Sequence, residues 1–246
     1  MYAVLPLLAL IAPAGGCRAA AGDTALSVLA ASSMQEALQE IGLAYTQQRR
    51  DAKVRFTFGG SQEMAERLAE PKSGDVLVTA DERTMNRAEA HLTGRRRTIA
   101  HNSMTIAVGP GNPRHIRGLR DLVRPGLRVA VAAASVPAGA YARRIFAGAG
   151  ITVRPSSEEI SVRAVLDRVR TGEADAGLVY ITDLRSAGVA ASSVPIPALE
   201  NATATYLAAA VKDSDHGEEA AAFVTWLTSP TARKLLNKYG FVTPAP

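Results

Sequence analysis

Three junctions in the sequence carry a strand-like run into a helix start that has no acid at its head. They are AASSM with Ser32 and Ser33, FGGSQ with Ser61, and VPAGAY with Ala138 and Gly139. A fourth helix start, ISVRAVL, lies around Ser161 and Val162. Helix N-termini hold unpaired N–H donors and a partial positive charge, so such a set suits the binding of an anion. Pro137 fixes φ in the turn, and Gly139 is expected to let the backbone come close to a ligand. Taken singly, a serine before a helix is an ordinary N-cap. Ser61 with Glu63 nearby is also a partial capping box. The conjunction of several neutral, acid-free starts in one chain is the informative signal.

Other chemistries find less support. His91, His101, His115 and His216 show no metal-ligand spacing. Neither Ser33 nor Ser61 sits in a G-x-S-x-G elbow or has an obvious His–Asp partner, so no hydrolase and no enzyme is expected. Asp81 and Asp183 follow strands and read as loop braces, Arg163 as a rim residue. Tyr180 closes the strand-like run GLVY, where it is either a core residue or a donor. The chain carries a formal net charge of +5, but its densest basic cluster is only Arg95, Arg96 and Arg97, with no aromatic interleaving. That pattern is a solvated surface and gives no reason to expect nucleic acid.

The elements that must position these residues alternate. LSVLAAS, KVRFTFGG and DVLVTA are strand-like, and the runs between them have helical spacing, as at Met34, Leu38, Ile41 and Tyr45. A second β-α-β-α-β set follows from NSMTIAV through LRVAVAAA to GLVYITD. ATYLAAAV returns as a strand, and two helical pieces split at Pro230 close the chain. The fold class is therefore α/β, with two similar lobes. The chain is expected to cross between them twice, within residues 103–107 and 205–209, forming a two-stranded hinge. The lobes are assigned as 25–104 plus 208–246 and as 105–207, with a ligand between them.

Residues 1–16 form an uncharged apolar run ending in Ala14, Gly15 and Gly16, directly before Cys17, the only cysteine. That is a secretory signal followed by a lipobox-like site. It predicts a lipid anchor on Cys17 and a small, polar tether over 17–24.

The ordered motifs VLAASSMQEALQEI, FTFGGSQEMAERL, DVLVTAD, NSMTIAV, VPAGAYAR, VRAVLDRV, GLVYITD and KYGF resemble the periplasmic molybdate-binding proteins of ABC importers, over nearly all of the mature chain. The resemblance implies a type II periplasmic-binding-protein fold, each lobe a mixed sheet flanked by helices. It implies an oxyanion held by neutral donors: hydroxyl and N–H from Ser33 and Ser61, backbone N–H from Ala138 and Val162, and the phenol of Tyr180. Molybdenum would be present only within the oxyanion, with no direct protein ligand and no cofactor. Tungstate, nearly the same size, shares the expectation. The implied protein is a monomer in the periplasm or on the outer face of the membrane, delivering its ion to an ABC permease. The alternatives are a same-fold receptor for sulfate or phosphate, or a sensory anion-binding module. Two positions depart from the family pattern: Gly60 where serine is common, and Ser161 where an acid often stands.

Overall fold

The computed structural model describes residues 25–50 and 52–245. The secretory segment, Cys17 and the tether lie outside them. The first lobe opens with three parallel strands, β1 (Ala25–Ala31), β2 (Lys53–Gly59) and β3 (Val76–Thr79), with β1 between the other two. Small and branched residues let β1 and β3 be covered on both faces, as a parallel strand requires. Three helices alternate with the strands: α1 (Gln35–Gln48), α2 (Ser61–Glu66) and α3 (Glu82–Arg87). Helix α1 buries Leu38, Ile41 and Tyr45 along one stripe, as their spacing predicts.

The second lobe contains β5 (Val129–Ala132), α4 (Pro137–Gly148), β6 (Ser157–Glu159), α5 (Val162–Arg170), β7 (Ala176–Tyr180), α6 (Ile181–Ala187) and β8 (Ser192–Pro195). Strand β5 runs parallel to both β6 and β7. The last strand, β9 (Thr203–Val211), returns to the first lobe and inserts antiparallel to β3. Helices α7 (Gly217–Trp226) and α8 (Pro230–Lys238) then cover the face of the first sheet that its own short helices leave bare. There Tyr45 meets Phe223 edge-on at 4.9 Å and Trp226 at 5.2 Å, and Lys238 pairs with Glu40 at 2.6 Å. With so few aromatics in the chain, this cluster concentrates much of the bulky packing in one place.

Strand β4 (Leu92–Val108) belongs to both lobes. Residues Leu92 to Ser103 pair with β9, and Met104 to Val108 pair with β7. The outward crossing therefore falls between Ser103 and Met104. The return crossing lies earlier than residues 205–209. Thr203 is already paired with Ser103, so the whole of β9 belongs to the first sheet. The side chain of Asn201 pins this point. Its Oδ1 accepts the Met104 N–H at 3.1 Å, and its Nδ2 donates to the Met104 carbonyl at 2.8 Å. Beside the strand, that amide mimics one more rung of the ladder.

One glycine has a different role from the one its motif suggests. Gly139 faces its own loop rather than a ligand. A Cβ there would overlap the carbonyl oxygens of Ala132 and Ala133, both backbone atoms that cannot swing aside. The glycine lets α4 start hard against the end of β5. Gly139→Ala is expected to destabilise the fold by roughly 1–3 kcal/mol through overpacking. The urea midpoint of the variant against the parent chain measures it.

Candidate functional site

The carboxyl ends of β1 and β2 and the starts of α4 and α5 converge on one small cavity between the lobes. Ser33, Ser61, Ala138, Val162 and Tyr180, the five residues singled out from the sequence, all line it. No charged side chain is among the lining residues. The space open to the centre of a water molecule is about 10 Å³. Adding a water radius, this is a hole about 2.7 Å in radius. That suits a single small ion and lies far below the several hundred Å³ of sites for organic ligands.

Each donor is turned toward the cavity by what satisfies its other side. Ser61 does not cap α2; that helix has Gly60 at its N-cap and no side-chain cap. Instead the Ser61 Oγ accepts the Ala80 N–H at 3.0 Å. The acceptor side of the hydroxyl is thereby engaged and its proton is left for the cavity. Ser33 sits at the end of a longer series. The Asn102 amide is fixed by accepting the Ser103 N–H at 2.9 Å and donating to Thr182 Oγ1 at 2.8 Å. Its Nδ2 also reaches Tyr206 Oη at 3.5 Å, and Tyr206 Oη lies 2.9 Å from Ser33 Oγ in a hydrogen bond that either hydroxyl can donate. With Tyr206 as the donor, the Ser33 proton is left for the cavity. Nothing in the sequence distinguished Tyr206 or Asn102 from residues of a buried strand.

Tyr180 is 1% exposed, and its Oη has no hydrogen-bond partner among the described residues. Burial holds its phenol well above the ordinary pKa, with the neighbouring Tyr206 adding to the effect, so the group remains a proton donor. Ala138 follows Pro137 in the first turn of α4, which has no side-chain cap. Val162 opens α5; the Ser161 hydroxyl there caps Ala164 N–H at 3.2 Å and leaves Val162 N–H uncapped. By contrast, α3 and α8 place no residue in the cavity lining, and their starts are closed by the side chains of Asp81 and Ser229.

The lobes are shut on this cavity. Gln62 Nε2 donates to the Ile160 carbonyl at 3.1 Å, and Arg83 reaches the carbonyls of Ala134 and Ser135 at 3.2 and 3.4 Å. The Tyr141 hydroxyl donates to the Ala80 carbonyl at 3.3 Å. Arg163, expected at the rim, grips both oxygens of Glu36 across the cleft at 2.7 Å. Asp81 and Asp183 brace their loops: Asp81 accepts Thr84 N–H and Asp183 accepts Tyr180 N–H, both at 2.9 Å.

Two lobes on a shared strand, meeting over an ion-sized hole at the strand ends, have the architecture of a solute receptor. The model for bacterial extracellular solute-binding proteins matches residues 26–242, and the chain belongs to that family. Family membership places it outside the cytoplasm. The chain is 38% identical to the molybdate-binding protein ModA of Mycobacterium tuberculosis over 225 residues, which is 91% of this chain and 86% of that protein. Among solved structures, the periplasmic molybdate-binding protein of Azotobacter vinelandii superposes with a TM-score of 0.77 at 20% identity, covering 89% of this chain and 100% of that one. The sulfate-binding protein SubI of Mycobacterium tuberculosis superposes with a TM-score of 0.79 at 20% identity, covering 91% of this chain and 88% of that one. Both structures share the two-lobed fold.

Two predictions follow from the geometry. A Cβ at Gly60 would lie 2.5 Å from the Ile160 carbonyl of the opposite lobe and 2.5 Å from Gln62 Nε2. Gly60→Ser should therefore cost the shut state about 1–2 kcal/mol. Small-angle scattering would then show a larger radius of gyration than for the parent chain. Asp183 is buried with Oδ1 unpartnered, and burial lifts its pKa to about 7 against the pull of the Tyr180 N–H and Arg163. In the unfolded chain this group ionises near 3.8, while the folded protein keeps the proton. Its contribution to stability is thus full below the unfolded value and is lost as pH rises toward about 7. Melting temperature should decline over that window in the parent chain, and the decline should be smaller in Asp183→Asn.

Proposed function

We propose that the protein captures molybdate between its lobes and delivers it to the permease of an ABC importer. The observation that carries this reading is the buried Tyr180 hydroxyl, unpartnered and lining a cavity furnished with neutral donors only. The long cover of a molybdate-binding relative at 38% identity supports the choice of ion. Ser33, Ser61, Ala138, Val162 and Tyr180 are the ligand residues, and tungstate would be taken with molybdate. About five to seven charge-assisted bonds, each contributing ~1.5–3 kcal/mol, supply from about 7 to about 20 kcal/mol, against the roughly 8 kcal/mol of a micromolar complex. Desolvation and hinge closure consume the excess. No carboxylate lines the cavity to accept a proton, which disfavours hydrogen phosphate. Sulfate is separated by size.

The reading includes a lipid anchor on Cys17, a monomeric state, no cofactor and no catalysis. Sulfate is the second candidate ion, because the sulfate-binding protein shares this fold. Thermal shift of the purified chain with molybdate, tungstate, sulfate and phosphate decides between the ions. At 100 times Kd the ligand adds about 2.7 kcal/mol, or roughly 5–10 °C for a chain of this size. The expected result is a shift with molybdate and tungstate alone. A shift with sulfate alone would overturn the ion. The double replacement Ser33→Ala with Ser61→Ala is expected to weaken molybdate binding at least 100-fold by calorimetry.

A further inference from the structure

The pair Glu36–Arg163 is set apart from the other bridges that close the cleft. Gln62, Arg83 and Tyr141 all donate to main-chain carbonyls, whereas this bridge joins two full charges, with Arg163 Nη2 donating to both oxygens of Glu36. Its partners flank the two halves of the cavity. Glu36 lies in the first turn of α1, three residues beyond Ser33, and Arg163 directly follows Val162 in α5. Each side chain is about one-third exposed or less while the lobes are shut, so each meets more solvent when they part.

The charge distribution therefore differs between the two states. In the shut state the charge of Arg163 is matched by Glu36, and the cavity presents neutral donors. In the open state the pair is split: Arg163 stands on the second lobe beside the N-termini of α4 and α5, and Glu36 on the first lobe beside Ser33. A dianion is drawn toward Arg163 and repelled from Glu36. Resting on the proposed function, we infer that the pair is a charge gate that sets the order of binding. The oxyanion lands on the second lobe, at Ala138 and Val162, under the attraction of Arg163. The first lobe then swings over, bringing Ser33 and Ser61 to the ion. Glu36 meanwhile takes the charge of Arg163 and locks the cleft. Neutralising Arg163 on closure also leaves selection of the ion to the size of the hole and the direction of the donors.

The test uses radiolabelled molybdate with the full chain and the variants Glu36→Gln, Arg163→Gln and Arg163→Lys. Equilibrium dialysis gives Kd, chase with unlabelled molybdate gives the off-rate, and their ratio gives the on-rate at several salt concentrations. Both Gln variants should raise the off-rate by roughly fivefold, through loss of the lock. The on-rates should move in opposite directions at low salt. Arg163→Gln should lower the on-rate about tenfold and flatten its salt dependence, and Glu36→Gln should raise it. Arg163→Lys should keep the on-rate and its salt slope while losing part of the lock. A merely structural bridge would leave both on-rates alike, and that result would overturn the gate while leaving the molybdate site intact. Failure of the parent chain to bind molybdate at all would instead overturn the proposed function, and the gate with it. Melting curves of the variants confirm that each is folded.

Discussion

A buried anion without a cation beside it requires every group around it to donate, and the lobes are built to meet that demand. A hydroxyl can donate or accept, so it serves an anion only when its accepting side is already engaged. The Ala80 N–H does this for Ser61, and Tyr206, itself reached by Asn102, can do it for Ser33 by donating to Oγ. The backbone donors need no such help, because the first turns of α4 and α5 have N–H groups that the helix itself leaves unpaired. Gly139 contributes without touching the cavity, by letting α4 begin where Ala138 can face inward. The polar groups behind the cavity are thus part of the site, since they decide which way its protons point.

The same demand explains how the lobes meet. Most of the closing contacts end on carbonyl oxygens, which places donors on the bridges and keeps carboxylates out of the lining. The Glu36–Arg163 ion pair across the cleft is self-neutralising. The strand shared by the lobes changes sheets at Ser103 and Met104, with Asn201 holding the returning chain beside that joint. The contacts that close the lips lie away from the joint, the arrangement a hinge requires.

Much of this was legible in the sequence for a physical reason. Strand-to-helix junctions announce themselves through a change of period from two to about 3.6 and through small residues at the turn. The resemblance then assigned a donor to each junction. What could not be read is where long-range pairing decides the outcome. The first half of β4 carries Arg95, Arg96 and Arg97, which no propensity marks as strand; Arg97 pairs with Ala208 of β9, and Arg95 and Arg96 lie in the bulge between that pair and Thr93–Ala210. The short strands β6 and β8 have the same origin, and α6 was hidden because its first residues continue the apolar run of β7. The return crossing was misplaced because ATYLAAAV is apolar along its whole length and shows no break at which one sheet ends. Tyr206 and Asn102 look like core residues because they are core residues, and only their contact with Ser33 and with each other gives them a second role.

The position of β9 has a consequence for the life of the chain before it binds anything. This strand fills the middle of the sheet, between β3 and β4, yet it is among the last elements to be made. Until residues 203–211 arrive, the first lobe lacks its central rung, and Leu77, Val78 and Ile99 have no cover there. The second lobe, apart from the strand it shares, is drawn from one continuous stretch and can assemble earlier. Pairing across so great a separation in sequence is slow, because loop closure must precede any reward from contact. The half synthesised first therefore stays incomplete until the last strand of the sheet has been made.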